Sequence, residues 1–217
     1  MSTTELPPPL PVRRLKRALD LLFVLGFVAL AWPLLLALLL AMWIDMLLHP
    51  ESRGPLLYHE TRISRGREFR MYKLRSVKQS VIDAARNSPE GLVTLKHLEK
   101  DEANFTAVGS FLRKFYLDEL GQLVNILTGD MTIVGPRPWP PKEFWDSIAQ
   151  VAATKGRMPC GLCGPVQAGK GTTGLAYHTV EAEYTEVYAT ASTLTLLRTD
   201  IHFMYRTLRT LLRGEGL

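Results

Sequence analysis

The feature of the sequence that most limits how the chain can fold is an apolar run near its N-terminus. This run covers residues 21–44 and contains no charged side chain. About 20 consecutive apolar residues in a helix are enough to cross the hydrocarbon core of a bilayer. A soluble domain would have to bury every face of such a helix, so the run predicts a membrane-embedded segment.

Three forms of this segment are consistent with its length. A cleaved signal peptide would use Ala29-Leu30-Ala31, but the apolar run continues well beyond that site. A straight transmembrane helix is the simplest form. A re-entrant hairpin is favoured by Pro33, because proline removes a backbone donor and bends or breaks a helix. Each arm of about 14 residues would extend only ~21 Å, which is short of the ~30 Å hydrocarbon core.

Charge also favours the hairpin, because basic residues are dense on both sides of the segment. The positive-inside rule retains such flanks in the cytoplasm, and a single pass cannot satisfy it at both ends. The basic residues are Arg13, Arg14, Lys16 and Arg17 before the segment, and Arg53, Arg62, Arg65, Arg67, Arg70, Lys73, Arg75 and Lys78 after it. We therefore predict a re-entrant helix-break-helix anchor over residues 13–50, broken at Pro33, with a straight span as the alternative.

The rest of the sequence predicts a short tail and one soluble domain. Residues 1–12 are polar and then proline-rich, which is typical of a disordered terminus. Residues 51–217 predict a mixed, helix-rich α/β domain on the cytoplasmic face of the membrane. The net charge of +5 suits an anionic partner, such as lipid headgroups or nucleotide phosphates. No nucleic-acid-binding motif is recognisable, so nucleic acid is not an expected partner.

Local patterns predict several elements of this domain. Residues 68–75 alternate apolar and charged side chains and predict a strand, while residues 79–104 predict partial helix. Residues 110–127 predict one amphipathic helix, and the glycine- and proline-rich residues 135–175 predict a loop. The spacing of residues 194–212 predicts a helix, which either lies on an anionic bilayer or packs on its own domain with its arginines in solvent.

Two short motifs support other functions only weakly. Cys160 and Cys163 form a lone C-x-x-C, but Pro159 and the neighbouring glycines predict a loop, so two reduced thiols are expected. Residues 164–172 fit a phosphate-binding loop of the nucleotide-kinase type. Because their flanks do not predict the required strand and helix, a kinase is retained only as an alternative.

The adjacent carboxylates Asp118 and Glu119 have the clearest chemical potential, and they follow Arg113 and Lys114. Two such acids could share a hard divalent cation while one of them attacks phosphorus. The arginine could hold a phosphoryl group through charge-assisted hydrogen bonds. The alternative is an ordinary helix surface on which Lys114 and Asp118 form an i,i+4 pair.

Two longer motifs surround this pair of carboxylates. They are Leu-Asp-Glu-Leu-x-Gln at residues 117–122 and Gly-Asp-Met-x-x-Val-Gly-Pro-Arg-Pro at residues 129–138. Together they resemble the bacterial sugar transferase family, the monotopic polyprenyl-phosphate phosphoglycosyl transferases. Further similar segments lie at residues 69–76, 161–167 and 197–208. The resemblance covers about residues 13–213, in the form without an additional multi-span N-terminal domain.

This resemblance implies a reaction and a set of residue roles. Asp118 would attack the β-phosphate of a UDP-sugar, release UMP and pass the phosphosugar to polyprenyl (undecaprenyl) phosphate. Glu119 would hold Mg²⁺. The residues implied to bind phosphate are Lys73, Arg75 and Arg113, and those implied to shape the uridine site are Pro136, Arg137 and Pro138. The implied location is the cytoplasmic face of the bacterial inner membrane, in contact with anionic lipids, at the first membrane step of polysaccharide or glycoconjugate assembly.

The sequence departs from the family pattern at three places, and residues 168–190 match that pattern only weakly. Gly121 replaces a common proline, Tyr116 replaces a small hydroxyl residue, and residues 104–109 lack a common arginine before their threonine. None of these removes a group with an implied role, but they leave the transferred sugar open. The oligomeric state is also open, with a homodimer among the alternatives. The alternative function is a non-enzymatic membrane scaffold, in which Asp118 would be replaceable.

Overall fold

The computed structural model describes residues 6–88, 94–169 and 177–212. These residues form a mixed, helix-rich α/β structure with small sheets, as the sequence predicts. The chain divides into two compact units and enters each of them more than once. The first unit comprises Met1–Phe23, Thr61–Phe69 and Asn125–Leu217, and the second comprises Val24–Glu60 and Arg70–Val124.

Among the described elements, only α1, α8 and α9 are longer than eight residues. The helices are α1 (Arg14–Leu48), α2 (Gln79–Arg86), α3 (Gly109–Lys114), α4 (Gln122–Thr128), α5 (Pro141–Asp146), α6 (Ile148–Val151), α7 (Pro165–Ala168), α8 (Tyr177–Thr190) and α9 (Thr193–Leu212). The strands are β1 (Leu57–Ser64), β2 (Arg67–Leu74), β3 (Met131–Val134) and β4 (Cys160–Cys163). Short 3₁₀ helices cover Pro50–Ser52, Leu95–Lys100, Glu102–Asn104 and Leu117–Gly121, the last of which we call the dyad helix.

The predicted membrane segment forms one helix, α1, with Pro33 inside it. Its 35 residues are assigned without interruption, so the predicted break at Pro33 is not confirmed. By length and composition α1 could cross a membrane, and no other helix of the described residues meets that test. Most of its apolar side chains are exposed, which in water would be costly and which a bilayer would cover. The helix therefore supports membrane association.

The basic cluster that precedes the membrane segment contacts protein groups in the first unit. The Arg17 guanidinium donates to the carbonyl oxygens of Ile126 and Leu127, the last of these at 2.9 Å. The Arg13 guanidinium donates to the carbonyl oxygen of Ala191, just beyond the end of α8, at 2.8 Å. Cationic side chains at helix C-termini satisfy carbonyl groups that have no partner in the helix. Part of the charge counted by the positive-inside rule is thus used for internal structure.

The loop predicted for residues 135–175 is wrong in part, since these residues contain α5, α6, β4 and α7. Strand β4 pairs in parallel with β3, so that Met131 lies opposite Cys160. Glycine allows this pairing, because a Cβ on Gly161 would lie 2.1 Å from the Gly135 nitrogen. A glycine-rich segment that predicts a loop can therefore form a strand where two backbones approach closely.

The two cysteines are free and buried on this strand. Burial raises the pKa of both the Cys160 and the Cys163 thiol to about 12, so neither is a thiolate at neutral pH. Both cysteines are therefore free thiols, as the sequence predicts. Across the parts of the chain that are described, no cluster of three or more His, Cys, Asp and Glu side chains is placed to hold a metal.

The phosphate-binding loop considered for residues 164–172 is disfavoured. Four of its positions form α7, directly after Gly164, where a phosphate-binding loop would need an open turn. The lysine of the motif, Lys170, lies outside the described residues.

In the second unit, two small apolar clusters hold the elements together. Leu38 and Met42 of α1 pack with Leu74 of β2 and Leu112 of α3. The predicted strand at residues 68–75 is confirmed as β2, the second strand of a hairpin with β1. The predicted partial helix at residues 79–104 is confirmed by α2 and two 3₁₀ helices, and a second cluster consists of Tyr58, Val77, Ile82 and Leu95.

The single helix predicted for residues 110–127 is wrong. The chain instead forms α3, the dyad helix and α4, and the first break lies at Phe115 and Tyr116. Tyr116 has a positive φ of 57°, a left-handed conformation that costs about 1–2 kcal/mol for a residue with a Cβ. The apolar periodicity continues across this break, which is why the pattern alone predicts one helix.

The predicted C-terminal helix is confirmed as α9. Leu196, Asp200 and Thr210 are buried on one of its faces. Another face carries five exposed apolar side chains, which are Leu194, Ile201, Tyr205, Leu208 and Leu212. Packing on its own domain is therefore confirmed for one face of α9, and the second face is exposed.

Candidate active site

The dyad helix positions the two adjacent carboxylates in different environments. Asp118 is buried and only 2% exposed, while Glu119 is half-buried. The left-handed residue Tyr116 starts this 3₁₀ helix, and Gly121 ends it. Three residues per turn, instead of 3.6, separate the directions of neighbouring side chains more widely. The local backbone thus directs one acid inward and leaves the other accessible.

Gly121 brings the dyad helix against strand β2. A Cβ at this position would lie 2.7 Å from the Lys73 Cα and 2.8 Å from the Lys73 backbone nitrogen, which is closer than real Cβ atoms approach. Only glycine permits this contact without a shift of backbone. The close approach places Lys73 beside Asp118, with the Lys73 Nζ 3.5 Å from the Asp118 Oδ2.

The pKa values of Asp118 and Lys73 reflect their burial and the presence of more carboxylates than ammonium groups around them. Burial raises the pKa of Asp118 to about 6, although Lys73 opposes this effect, and Glu119 and Glu99 raise it further. Burial alone would lower the pKa of Lys73, but the carboxylates of Asp118 and its acidic neighbours raise it overall. At neutral pH the Asp118 carboxyl group is therefore mainly ionised, with a minor protonated fraction.

One oxygen of Asp118 has no partner among the described residues. Its Oδ1 atom is buried and accepts no hydrogen bond there, while its Oδ2 atom faces Lys73. A buried polar atom without a partner costs about 1–3 kcal/mol, so such atoms call for an explanation. A carboxylate oxygen held without a donor is available to bind a cation or to attack an electrophile.

Glu99, which the sequence patterns do not identify, adjoins the same group of charges. Its Oε2 atom lies 3.4 Å from the Arg113 Nε, and its Oε1 atom is buried without a partner among the described residues. Arg113 belongs to α3 and Glu99 to the 3₁₀ helix Leu95–Lys100. No sequence motif could have indicated this pair, because it depends on the packing of two short elements.

These carboxylates fit a magnesium ion better than a metal of the zinc type. Mg²⁺ is usually bound by one or two carboxylates together with substrate phosphates, and not by a closed set of protein ligands. Asp118 and Glu119 provide hard oxygen donors, and the partnerless Oδ1 atom of Asp118 is one of them. The residues present therefore fit Mg²⁺ bound jointly with a phosphorylated substrate.

Arg75, in contrast, is occupied by the protein itself. Its guanidinium donates to the carbonyl oxygens of Pro55 at 2.7 Å and Val77 at 3.0 Å, and to that of Ser52. The residue is only 2% exposed. This geometry ties three backbone segments together and gives Arg75 a structural role. The phosphate-binding role that the family resemblance implies for Arg75 stays a prediction.

The segment Pro136-Arg137-Pro138 lies in the first unit, whereas Asp118, Glu119, Lys73 and Arg113 lie in the second. The Arg137 backbone N–H donates to the Glu181 carboxylate at 2.9 Å, and Glu181 also forms a buried ion pair with Lys155. The Lys155 ammonium lies 4.6 Å from the centre of the Trp139 ring. This network fixes the backbone of the segment.

Comparison with known proteins gives a consistent result. The model of the bacterial sugar transferase family matches residues 12–214. A protein of Bacillus subtilis (strain 168), provisionally named an undecaprenyl-phosphate N-acetylgalactosaminyl 1-phosphate transferase, is 37% identical over 125 residues, which are 57% of this chain and 62% of that protein.

Two further relatives carry names that specify donor and acceptor. The Aeromonas hydrophila UDP-N-acetylgalactosamine-undecaprenyl-phosphate N-acetylgalactosaminephosphotransferase is 31% identical over 208 residues, 93% of this chain and 44% of that protein. The Escherichia coli (strain K12) UDP-glucose:undecaprenyl-phosphate glucose-1-phosphate transferase is 36% identical over 132 residues, 58% of this chain and 24% of that protein. The matches thus span less than two thirds of these relatives' own lengths, and the relatives differ in the sugar that they name.

Proposed function

Because the chain belongs to the bacterial sugar transferase family, we propose that it transfers a phosphosugar from a UDP-sugar to polyprenyl phosphate. The products would be UMP and a polyprenyl diphosphate sugar. The observation that carries this proposal is the state of Asp118, which is buried, paired through one oxygen with Lys73 and without a partner on the other among the described residues. A nucleophile activated by burial and by an adjacent cation has this arrangement.

In the first step, the Asp118 Oδ1 atom attacks the β-phosphorus of the UDP-sugar. A bond forms between this oxygen and phosphorus, and the bond from that phosphorus to the oxygen bridging the two phosphates breaks. UMP leaves with the bridging oxygen, and the sugar phosphate stays on the aspartate as a mixed anhydride. Lys73, beside Asp118, would offset the negative charge that develops on the phosphoryl oxygens.

In the second step, an oxygen of the polyprenyl phosphate attacks the same phosphorus. The bond between phosphorus and Asp118 breaks, and the carboxylate returns to its initial state. The two displacements leave no net change on the enzyme. Because phosphoryl transfer depends mainly on positioning and on stabilisation of charge, Arg113, held by Glu99, would orient a phosphate through its remaining donors.

Glu119 would hold the Mg²⁺ ion, which leaves the Asp118 Oδ1 atom for the attack on phosphorus. The ion would neutralise the charge of the diphosphate. The pair Arg113 and Lys73 then supplies the remaining positive charge from the second unit. We assign the uridine end of the donor to Pro136-Arg137-Pro138, whose backbone is fixed through Glu181.

We further propose that α1 is bent at Pro33 and that both of its ends lie on the cytoplasmic face of the bacterial inner membrane. The chain passes between the two units at residues 23–24, inside α1, and at residues 60–61, 69–70 and 124–125. The last three of these passages lie outside α1, which is the one helix of the described residues that could cross a bilayer. A straight helix of 35 residues would extend about 52 Å, well beyond the hydrocarbon core.

The exposed apolar face of α9 supports contact with anionic lipids as well. Arg198, Arg206 and Arg209 lie on the same helix as that face. An apolar stripe beside arginines is typical of helices that lie in the interface of an anionic bilayer.

The reaction is tested by incubating purified protein with Mg²⁺, undecaprenyl phosphate and a panel of UDP-sugars, and by measuring UMP. We expect UMP release with one or a few sugars, its loss in Asp118→Asn, and its loss on chelation of the metal. In the absence of acceptor, mass spectrometry should find a sugar phosphate on the peptide that contains Asp118. Folded protein without UMP release from any sugar would favour the scaffold function, and release unaffected by Asp118→Asn would exclude this nucleophile.

The bend is tested separately by single-cysteine labelling in membrane vesicles of known orientation. Val12→Cys and Arg53→Cys place a thiol before and after α1. A membrane-impermeant maleimide should label both from the cytoplasmic side only. Labelling from opposite sides would mean a straight span.

A further inference from the structure

An apolar pocket of about 680 Å³ lies in the second unit. One wall is the second half of α1, including Ala37 and Ala41. All ten residues that line it are apolar, and its volume falls within the range of about 300–1,000 Å³ that is usual for small-molecule sites. The facing wall is formed by Phe111, Phe115, Leu117 and Leu120.

The pocket and the candidate nucleophile share one short element. Leu117 and Leu120 of the dyad helix line the pocket, and Asp118 and Glu119 lie between them in the sequence. Lys73 is the cation next to Asp118, at 3.5 Å. A ligand with an apolar chain and a phosphate head therefore matches the order of groups along this region, with the apolar lining first and, beyond it, the Lys73 ammonium beside the carboxylate that carries the proposed reaction.

The α1 wall of the pocket belongs to the helix that could enter a membrane. Leu34 of α1 is 64% exposed, and Phe111 and Phe115 are each about half exposed. A bilayer around α1 would thus border the pocket, and an apolar chain could move into it from the bilayer without crossing water. A soluble apolar ligand would have no such route.

We propose that this pocket binds the isoprenoid units nearest the phosphate of the acceptor lipid. The inference rests on the proposed function and adds to it the site of the acceptor chain. It also explains why apolar and acidic residues lie next to each other within the dyad helix. The same helix would contact the isoprenoid chain of the lipid and carry the reacting carboxylate.

Ordinary membrane phospholipid fits the region less well. Its phosphate is a diester that carries a second substituent, whereas the polyprenyl phosphate ends in a monoester whose oxygens are free to approach Lys73 and Asp118. The small side chains of Ala37 and Ala41 leave room beside α1 for the branching methyl groups of an isoprenoid. We therefore assign the pocket to the acceptor and not to bulk lipid.

The first test fills the pocket. Ala37→Phe adds a ring to its wall at an exposed position of α1. In nanodiscs with varied mole fractions of undecaprenyl phosphate, we expect its KM to rise by about tenfold, as for the loss of a few buried methylene groups. The KM for the UDP-sugar should remain within twofold of the wild-type value.

The matched control is Ala29→Phe, which makes the same change on an exposed part of α1 outside the pocket. It should leave both KM values close to those of the wild type. An equal rise in both variants, or no rise in Ala37→Phe, would overturn the proposal. If the wild type itself releases no UMP, the proposed function fails first, and the two failures are thereby distinguished.

The second test needs no variant. Undecaprenyl phosphate carrying a diazirine on the isoprene unit next to the phosphate is photolysed with wild-type protein, and the labelled peptides are identified. Label should fall on residues 108–120 and on residues 34–41. Label elsewhere, or equal labelling of these residues by a diazirine-bearing phosphatidylcholine, would overturn the assignment to the acceptor.

Discussion

Asp118 combines two properties that oppose each other, a buried side chain and a charge that the proposed chemistry needs. Its pKa is raised to about 6, mainly by burial, from a usual value of 3.8. At neutral pH the folded protein therefore holds a charge that its surroundings disfavour. Nucleophilic sites often show this condition, because stability is lost where reactivity is required.

This conflict predicts a pH-dependent effect of Asp118→Asn on stability in metal-free buffer. As pH rises from about 4 to about 6, the unfolded chain loses the Asp118 proton before the folded one does, so the free energy of unfolding falls. The total loss is about 3 kcal/mol at most. Relative to the wild type, the variant should therefore gain Tm between pH 4 and pH 7.

Thermal unfolding with a chelator present measures this difference. Asp146→Asn, at an exposed position, is the control and should show no such trend. A difference between Asp118→Asn and the wild type that stays constant over this pH range would contradict the raised pKa.

Glu99 is expected to act as a positioning residue through Arg113. Glu99→Gln removes one charge of the ion pair and should lower kcat/KM by about tenfold, as for a charge-assisted hydrogen bond of about 1.4 kcal/mol. A purely structural role would lower Tm instead.

A double-mutant cycle separates these roles. In the Arg113→Ala background, Glu99→Gln should cause little further loss of activity, since its partner is already absent. Equal losses in both backgrounds would mean that Glu99 acts on another group.

At the scale of elements, periodicity predicts well where a face is buried and poorly where backbones meet. Strand β2 and helix α9 follow their patterns. Strand β4 does not, because it depends on the close contact of Gly161 with Gly135. The break at Tyr116 does not either, because it lies in one residue with a left-handed backbone inside a continuous apolar pattern. The sequence could therefore identify Asp118 through its motif, but it could not identify Glu99 or the structural role of Arg75.

Gly121→Ala tests the contact that joins the dyad helix to β2. The added Cβ would lie within 2.8 Å of three Lys73 backbone atoms, so one of the two elements must move. We expect a loss of about 1–3 kcal/mol in the free energy of unfolding, with a fall in transfer rate as Lys73 shifts from Asp118.

Chemical denaturation and the UMP assay measure these two effects. Gly26→Ala is the matched control, because a Cβ at Gly26 meets nothing within 4 Å and alanine favours a helix. It should leave both quantities close to the wild-type values. A Gly121→Ala protein of unchanged stability and rate would show that the close approach is unimportant.

At the scale of the whole molecule, a buried polar network in the first unit joins residues of α1 to residues of α8 and α9. The Lys16 Nζ lies 2.7 Å from the Asp200 Oδ2 and 3.8 Å from the Asp20 Oδ1. The Tyr184 hydroxyl donates to the Asp200 Oδ1 at 2.6 Å. Lys16 belongs to α1 and Asp200 to α9, so the network fixes the helix of the membrane segment on the C-terminal helix.

The network contains two carboxylates, those of Asp20 and Asp200, and one ammonium, that of Lys16. Removing the ammonium should therefore destabilise the protein more than neutralising one carboxylate. Lys16→Met leaves both acids buried without their cation and should cost more than about 3 kcal/mol of unfolding free energy. Asp200→Asn leaves Lys16 beside Asp20 and keeps an acceptor for Tyr184, so it should cost less. The loss in Lys16→Met should also be larger at pH 8 than at pH 5, because protonation relieves an unpaired acid and burial already raises the pKa of Asp200.

Denaturant unfolding of both single variants and of the double variant measures the coupling. The double variant should lose less than the sum of the two single losses, because the charge imbalance left by Lys16→Met is partly removed by Asp200→Asn. Additive losses would mean that the two side chains act independently. In that case α1 would be held on the first unit mainly by the carbonyl contacts of Arg13 and Arg17, and Arg13→Ala should then be the most damaging change in this region.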